Sequence, residues 1–177
     1  MSHTSQNHSA RDRHPSPATA YLGLGSNMGD SRRHIEGALR EIDALPGTQV
    51  LRTSPLYSSK PWGKAEQPDF VNAVVEIATE LLPRELLNAV KAIERAHGRV
   101  PGERWGPRPL DIDILLHSAG TVSLPDLEVP HPRMWQRAFV LRPLADLRPD
   151  LLAPDDTTVL ARLNDEEIAA QQVWPLE

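Results

Sequence analysis

The order in which strand-like and helix-like hydrophobic patterns follow one another is the feature of this sequence that most limits its fold. Short apolar runs and period-two alternation are typical of strands, whereas apolar residues spaced three and four apart are typical of one face of a helix. The predicted elements are, in order, a strand at residues 19–25, a helix with an apolar stripe over 35–45, strands at 48–58 and 69–79, a helix over 83–97 and a strand at 110–117. This β-α-β-β-α-β order indicates an α+β, ferredoxin-like fold, in which a mainly antiparallel sheet carries both helices on one face.

Capping signals support both predicted helices. Asp30 precedes the first apolar stripe and is a preferred N-cap residue, while Pro46 and Gly47 end that helix. Pro83 suits the first turn of the second helix, and Gly98 stands where a C-terminal cap belongs. The two stripes consist of Ile35, Ala38, Leu39, Ile42 and Leu45 in the first helix and Leu86, Leu87, Val90, Ile93 and His97 in the second.

The segments outside this core are polar or rich in proline. Residues 1–17 contain no apolar run, so we expect a disordered tail with solvated histidines. Residues 118–135 form a turn and a proline-rich loop, and residues 139–142 (FVLR) favour a short strand. Together with short helices, these loops are left to cover the open face of the sheet. We interpret residues 18–177 as one domain, whose acidic last 14 residues pack loosely or not at all.

Composition excludes several classes of protein. A length of 177 residues is most simply one domain, and the formal net charge of -5 gives no positive field to hold nucleic acid or an anionic membrane. No run approaches the ~18 apolar residues of a membrane span. The absence of cysteine excludes disulfides, thiolate zinc sites and cysteine nucleophiles. We therefore expect a cytoplasmic monomer that acts on small molecules and binds neither nucleic acid nor membranes.

Common nucleotide-binding and hydrolase motifs are absent from the sequence. Gly23 and Gly25 follow the spacing of a dinucleotide-binding turn, but Met28 occupies the position of its third glycine. The Gly63-Lys64 pair lacks the Ser or Thr that completes a P-loop. There is no H-E-x-x-H or G-x-S-x-G string. A phosphate site in this chain must therefore be built in another way.

A pair of carboxylates and a basic loop provide that alternative. Asp111 and Asp113 are two residues apart on a predicted strand, so both side chains leave the same face and can hold hard cations such as Mg²⁺ between them. An isolated D-x-D would fit a solvated edge strand equally well. Here the loop at residues 98–108 carries a local charge of +2, and guanidinium groups bind phosphate oxygens through forked hydrogen bonds. The combination favours a site for a nucleotide and Mg²⁺, with Leu110, Ile112 and Ile114 on the opposite, core-facing side of the strand.

Four motifs in the same order strongly resemble one enzyme family. They are GLGSNMGD at 23–30, QPDFVNAVV at 67–75, RWGPRPLDIDILL at 104–116 and VPHPRMWQRAFVLRPL at 129–144. The family is 6-hydroxymethyl-7,8-dihydropterin pyrophosphokinase of folate biosynthesis, and the resemblance extends over residues 19–163. It implies transfer of the β,γ-diphosphate of ATP to the hydroxymethyl oxygen of the pterin, with release of AMP and with two Mg²⁺ ions as cofactors. The fold that it implies is also ferredoxin-like.

The resemblance assigns the chemistry to residues of the matching motifs. It implies that Asp111 and Asp113 are the metal ligands, and that Arg108, His131 and Arg137 complete the catalytic set. Without the resemblance, His131 would be read as a loop histidine between two prolines. The ATP-binding residues that it implies are Glu94, Arg99, Arg104, Trp105, Arg108, Ile114, His131 and Arg137.

A second group of residues is predicted to bind the pterin. Phe70 and Asn72 lie on the same strand face, so one can stack on a flat ring while the other bonds its edge. The resemblance implies that Phe139 is the opposing aromatic residue and that Trp62 and Trp105 also line this site. Trp62 fits a surface position equally well.

Some positions depart from the family pattern or have simpler explanations. Many members carry an arginine just after GRV, where this chain has Pro101, so that role is lost or is taken by Arg99 or Arg104. Pro132 stands where relatives can carry an aromatic residue. On a bare helix, Glu94 would be a surface charge.

Two other functions fit a ferredoxin-like domain, namely regulatory binding of a small molecule and RNA binding on the open sheet face. The RNA interpretation lacks paired strand aromatics and a basic surface. A regulatory domain would bind its ligand without turnover. Release of AMP from ATP in the presence of Mg²⁺ and the reduced hydroxymethylpterin therefore distinguishes the enzyme from such a domain.

Overall fold

A computed structural model describes residues 16–61, 66–99 and 107–176 of the chain, so residues 1–15 of the predicted tail lie outside the described residues. Within these ranges every helix is too short or too polar to span a membrane. The elements are β1 (Ala18–Ser26), α1 (Ser31–Asp43), β2 (Thr48–Thr53), β3 (Tyr57–Ser59), β4 (Phe70–Thr79), α2 (Pro83–Ala96), β5 (Asp111–His117), β6 (Val122–Leu124), β7 (Leu127–Val129), a 3-10 helix (Met134–Gln136), α3 (Ala138–Leu147), α4 (Val159–Arg162), α5 (Glu166–Ala169) and β8 (Val173–Pro175).

The main sheet has the predicted ferredoxin-like topology. Its strand order is β5-β1-β4-β3-β8, β2 pairs with the other half of β4, and every pairing is antiparallel. The predicted strand at 48–58 is split into β2 and β3 around Pro55, a residue that cannot donate a ladder hydrogen bond. The α+β fold predicted from the order of the elements is confirmed.

Helices α1 and α2 cover one face of the sheet, as their apolar stripes predict. The carboxylate of Asp30 accepts a hydrogen bond from the backbone N–H of Arg33 at 3.2 Å and so caps α1, while Pro83 opens α2. The core beneath them is formed by alternate residues of β1, β4 and β5 and by the helix stripes, including Leu22, Leu24, Ile42, Val75, Ile77, Leu86, Val90 and Ile112.

The opposite face of the sheet is covered by α3 and the segments around it. The prediction of a short strand at residues 139–142 is wrong, because these residues lie within α3. The four-residue window FVLR has strand propensity, but Ala138, Leu141 and Ala145 recur at helical spacing and are buried. The second core cluster is formed by these residues with Tyr21, Val74, Leu115, Met134 and Leu144.

The carboxyl-terminal segment is part of the packed domain, unlike the loosely packed extension that the sequence suggests. Ile168 in α5 is only 5% exposed and belongs to the second core cluster. Strand β8 then extends the main sheet by pairing with β3, with Val173 opposite Ser59. The acidic residues before β8 face solvent. Their abundance makes the segment look loosely packed in the sequence, although a few buried positions anchor it.

Candidate active site

The centre of the sheet face that α3 covers is formed by two glycines of β1, which have no side chains. We call this open area the floor of the site. On β1, Gly25 lies between Asn72 of β4 and Asp111 of β5, and Gly23 lies between Val74 and Asp113. A Cβ atom on Gly25 would come within 3.5 Å of the Asn72 amide oxygen. The two glycines therefore leave open space between the neighbouring strands, which explains the glycine pair better than a dinucleotide-binding turn does.

A pocket above this floor brings together most of the residues predicted for the two substrates. Strand β4 contributes the pterin candidates, β5 contributes the two aspartates, and the start of α3 closes the opposite side. The remaining lining residues were not predicted, and they include Gly23 and Gly25 of the floor and the neighbouring Ser59 and Lys60. The predicted residues that line the pocket are Phe70, Asn72, Arg108, Asp111, Asp113, Arg137 and Phe139.

The two aspartates form an acidic pair with restricted access to solvent. The side chains of Asp111 and Asp113 are 37% and 35% exposed and share one face of β5. Burial, together with the negative charge of Asp111, raises the pKa of Asp113 to about 7. A divalent cation would relieve this repulsion, so the donor set fits Mg²⁺, which usually takes one or two carboxylates and completes its shell with phosphate oxygens and water. In the part of the chain that the structure describes, no cluster of three or more metal-binding side chains occurs.

Glu94 and Arg99 form a hydrogen-bonded network that supports the aspartate pair. Glu94 is 1% exposed, and its Oε2 accepts hydrogen bonds from Arg99 Nη1 at 2.6 Å and from the backbone N–H of Ile112 at 2.9 Å. Arg99 Nη1 also donates to Asp111. Oε1 of Glu94 lies 3.1 Å from Lys91 Nζ, an ion pair without hydrogen-bond geometry. Glu94 is therefore a buried anchor for Arg99 and β5, and the alternative of a surface charge is wrong.

His131 faces the same pair as a neutral imidazole. Its Nδ1 accepts a hydrogen bond from the backbone N–H of Arg133 at 3.2 Å, so the proton of the neutral ring is assigned to Nε2, which lies 4.0 Å from Asp113 Oδ2. Burial and the positive charge of Arg137 lower the pKa of His131 to about 4. At neutral pH this side chain is therefore an N–H donor directed at the acidic pair.

Arg137 and Phe139 form the wall opposite the strands. The guanidinium carbon of Arg137 lies 5.4 Å from the centroid of the Phe139 ring, within the range of a cation–π interaction. Burial lowers the pKa of Arg137, although Asp113 opposes that shift. The wall thus combines a cation directed at the aspartates with an aromatic surface in the same pocket.

Comparison with known proteins agrees with this geometry. The family model described as 7,8-dihydro-6-hydroxymethylpterin-pyrophosphokinase (HPPK) matches residues 21–149. The chain belongs to this family. It is an ATP-dependent enzyme of folate biosynthesis that transfers the β,γ-diphosphate of ATP to the hydroxymethyl group of 6-hydroxymethyl-7,8-dihydropterin and so produces AMP.

Curated relatives and solved structures support the assignment to the HPPK family. The chain is 53% identical over 135 residues to 2-amino-4-hydroxy-6-hydroxymethyldihydropteridine pyrophosphokinase of Pseudomonas aeruginosa, with 76% of this chain and 83% of the relative covered. It is 46% identical over 147 residues to the Methylorubrum extorquens enzyme of the same name, with 82% and 93% covered. A structure of Plasmodium falciparum HPPK-DHPS with pteroate matches with a TM-score of 0.67 at 16% identity. That match covers 87% of this chain but 45% of the Plasmodium chain, and it supports the fold alone.

Some residues that the HPPK resemblance assigns to substrates do not reach the pocket or are not described. The side chain of Ile114 is 4% exposed in the core beneath the helices, on the face opposite the aspartates. Glu94, Arg99 and His131 do not line the pocket: Glu94 is buried, whereas Arg99 and His131 lie beside the aspartates. Trp62, Arg104 and Trp105 lie outside the described residues.

Two hydrogen-bonding residues stand out among the site residues of this HPPK chain that the sequence interpretation missed. Asn27 is buried, and its side chain accepts from the Arg108 N–H at 2.7 Å and donates to the Pro68 carbonyl at 3.2 Å, so it joins the loops before β5 and β4. Ser59 Oγ accepts from Asn72 Nδ2 at 2.7 Å. Asn27 lies within the GLGSNMGD motif, which was its only sequence signal, whereas the tripeptide around Ser59 gives none.

The raised pKa of Asp113 predicts a pH-dependent gain in stability for the metal-free Asp113→Asn variant. The ordinary pKa is 3.8 and the folded value is about 7, so the stability contributed by this carboxyl is complete below pH 3.8 and is lost as the pH rises through 7. Asparagine cannot ionise, and we expect a gain that is larger at pH 8 than at pH 4. Because the side chain is 35% exposed, screening limits this gain to roughly 1 kcal/mol.

Urea unfolding in EDTA at the two pH values measures this effect. Asp126→Asn is the control, because Arg84 lowers the pKa of Asp126 and a carboxyl of that kind is already ionised at pH 4. We expect a small loss of similar size at both pH values for the control. An equal change for Asp113→Asn at pH 4 and pH 8 would contradict the raised pKa.

Proposed function

We propose that this enzyme binds ATP and two Mg²⁺ ions at the β5 end of the pocket and the pterin ring at the β3–β4 end. The observation that carries the proposal is the row of Asn72, Gly25 and Asp111 across three adjacent strands. An amide side chain and a carboxylate share one open floor in this row, which supports binding of the ring at one end and of cations at the other. When bound, the cations neutralise phosphate charge, and Asp111 and Asp113 are the residues that would hold them.

The basic groups of the pocket supply further positive charge, which offsets the negative charge of the diphosphate during transfer. Arg108 and Arg137 line the pocket beside the aspartates, and guanidinium groups stabilise charge that grows on phosphate oxygens. His131, neutral at pH 7, offers its Nε2 proton to a phosphate oxygen without adding a fixed charge. Arg99, held by Glu94, keeps Asp111 oriented. Roles for Arg104 and Trp105 stay predictions from sequence.

The pterin is proposed to lie between Phe70 and Phe139, with its edge against Asn72. All three side chains line the pocket. Because Asn72 donates to Ser59, its amide is fixed with the oxygen beside Gly25, where it can accept from the N–H groups of the ring edge. Contributions from Trp62 and Trp105, and action as a cytoplasmic monomer, stay predictions from sequence.

Substitution of the pterin pocket tests this arrangement. We expect Phe139→Ala and Asn72→Ala to weaken pterin binding by about 1 to 3 kcal/mol each, because desolvated stacking and edge hydrogen bonds are lost. ATP affinity should stay close to the parental value. Calorimetric titration with each substrate separately measures both affinities. If both variants lost the two affinities equally, these residues would support the fold rather than the ring.

A further inference from the structure

Gln171 makes two hydrogen bonds to the start of the wall formed by Arg137 and Phe139. Its Nε2 donates to the carbonyl of Gln136 at 2.7 Å, and its Oε1 accepts from the backbone N–H of Ala138 at 2.8 Å. Gln171 lies beyond residues 21–149, the part of the chain that matches the family model. Its side-chain amide therefore brackets Arg137 from a segment that the family resemblance does not explain.

The backbone at Arg137 needs such support. Arg137 is a single extended residue, with φ −113° and ψ 111°, between the 3-10 helix and α3. Its own side chain does not cap α3, so the first N–H of that helix requires an acceptor from elsewhere. A primary amide has an NH₂ group that donates hydrogen bonds and an oxygen that accepts them. It can therefore pair with the carbonyl and the N–H on either side of Arg137, as the backbone of a neighbouring strand would.

Gln171 is itself fixed to the other wall of the pocket. Two residues later, Val173 pairs with Ser59 in the sheet, and the intervening carbonyl of Gln172 accepts from the Lys60 N–H at 3.3 Å. Ser59 in turn accepts from Asn72. The terminal segment therefore connects the wall that carries Asn72 with the wall that carries Phe139.

We propose that Gln171 is a positioning residue for the transfer reaction, holding Arg137 and Phe139 in the orientation that engages the substrates. This inference rests on the proposed roles of those two residues. Gln171 does not line the main pocket, so it acts through the backbone that it bonds. A misplacement of about 1 Å at a site can lower a rate by ~10²-fold, so loss of even part of this alignment should be measurable.

The test compares Gln171→Ala and Gln171→Glu with Gln49→Ala, a matched control at an exposed glutamine of β2. We expect both Gln171 variants to lower kcat and to raise the pterin KM, with kcat/KM reduced by roughly 10-fold or more. Gln171→Glu keeps the side-chain volume and the acceptor for Ala138 but turns an oxygen toward the Gln136 carbonyl, so it reports on alignment even if Gln171→Ala fails to fold. Gln49→Ala should keep the parental constants.

A double-mutant cycle separates positioning from a general structural role. In the Arg137→Ala and the Phe139→Ala background, the additional kinetic loss from Gln171→Glu should be smaller than in the parental enzyme, because each background lacks one of the two side chains that Gln171 positions. Full additivity in both backgrounds, or parental kinetics for Gln171→Glu, would overturn the proposal while leaving the site assignment intact. Parental kinetics for Arg137→Ala and Phe139→Ala themselves would overturn the site assignment and the proposal together.

Discussion

Replacing either aspartate of β5 by asparagine is expected to lower turnover at least ~10²-fold while the protein stays folded. The transferring diphosphate carries several negative charges, and Asp111→Asn or Asp113→Asn removes one of the two carboxylates proposed to hold the neutralising cations. Folding should survive because burial and the negative charge of Asp111 both disfavour the ionised Asp113 carboxyl in the metal-free protein, and asparagine removes that cost. AMP release at saturating ATP and pterin, and at a Mg²⁺ concentration that just saturates the parental enzyme, measures turnover, and thermal melts measure folding.

The control for this experiment is Asp156→Asn. Asp156 is exposed and has a positive φ of 64°, a conformation that asparagine tolerates, so this variant should keep the parental rate. Turnover of the two β5 variants should recover in part at high Mg²⁺, because a weakened cation site is filled again by mass action. A parental rate for either β5 variant would show that the aspartate pair is an ordinary strand feature.

The spacing of hydrophobic residues was sufficient to predict the helices and strands that bury one continuous apolar face. The helices α1 and α2 and the strands β1, β4 and β5 each repeat their apolar residues over at least seven positions, so the pattern has one interpretation. Helix α3 was missed because the four residues FVLR were read without the positions that follow them. It is buried on most of its surface, and a buried helix and a buried strand look alike over so short a window.

The candidate site was predictable where its chemistry lies within one element. Asp111 and Asp113, and Phe70 and Asn72, share strand faces by period two, so their proximity within each pair follows from sequence alone. The supporting contacts join positions far apart in the chain and were not predictable. Asn27 bonds Arg108 across 81 positions. The same is true of Ser59 and Gln171, whose roles depend on which strands and helices become neighbours.

Removing Glu94 should have the largest effect on stability of any substitution near the site. We expect Glu94→Ala to lower the free energy of unfolding by roughly 3 kcal/mol, because it leaves the Ile112 N–H without its acceptor, deprives Arg99 of a partner and opens a cavity. The isosteric Glu94→Gln keeps the volume and an acceptor for Ile112, so its loss should be smaller. Urea unfolding measures both variants. Glu36→Ala, an exposed glutamate of α1, serves as the control and should change stability little.

The Glu94→Gln substitution should also change the Mg²⁺ concentration that the enzyme requires. Arg99 now divides its charge between Glu94 and Asp111, and without Glu94 its attraction is directed to Asp111. A guanidinium held more tightly on that carboxylate competes with a cation for the same oxygens, so Glu94→Gln should need several-fold more Mg²⁺ for half-maximal AMP release. Because Mg²⁺ binding also shifts any unfolded fraction toward the folded state, the comparison is made at a temperature at which Glu94→Gln is fully folded without Mg²⁺. An unchanged Mg²⁺ requirement together with lost stability would restrict Glu94 to supporting the fold.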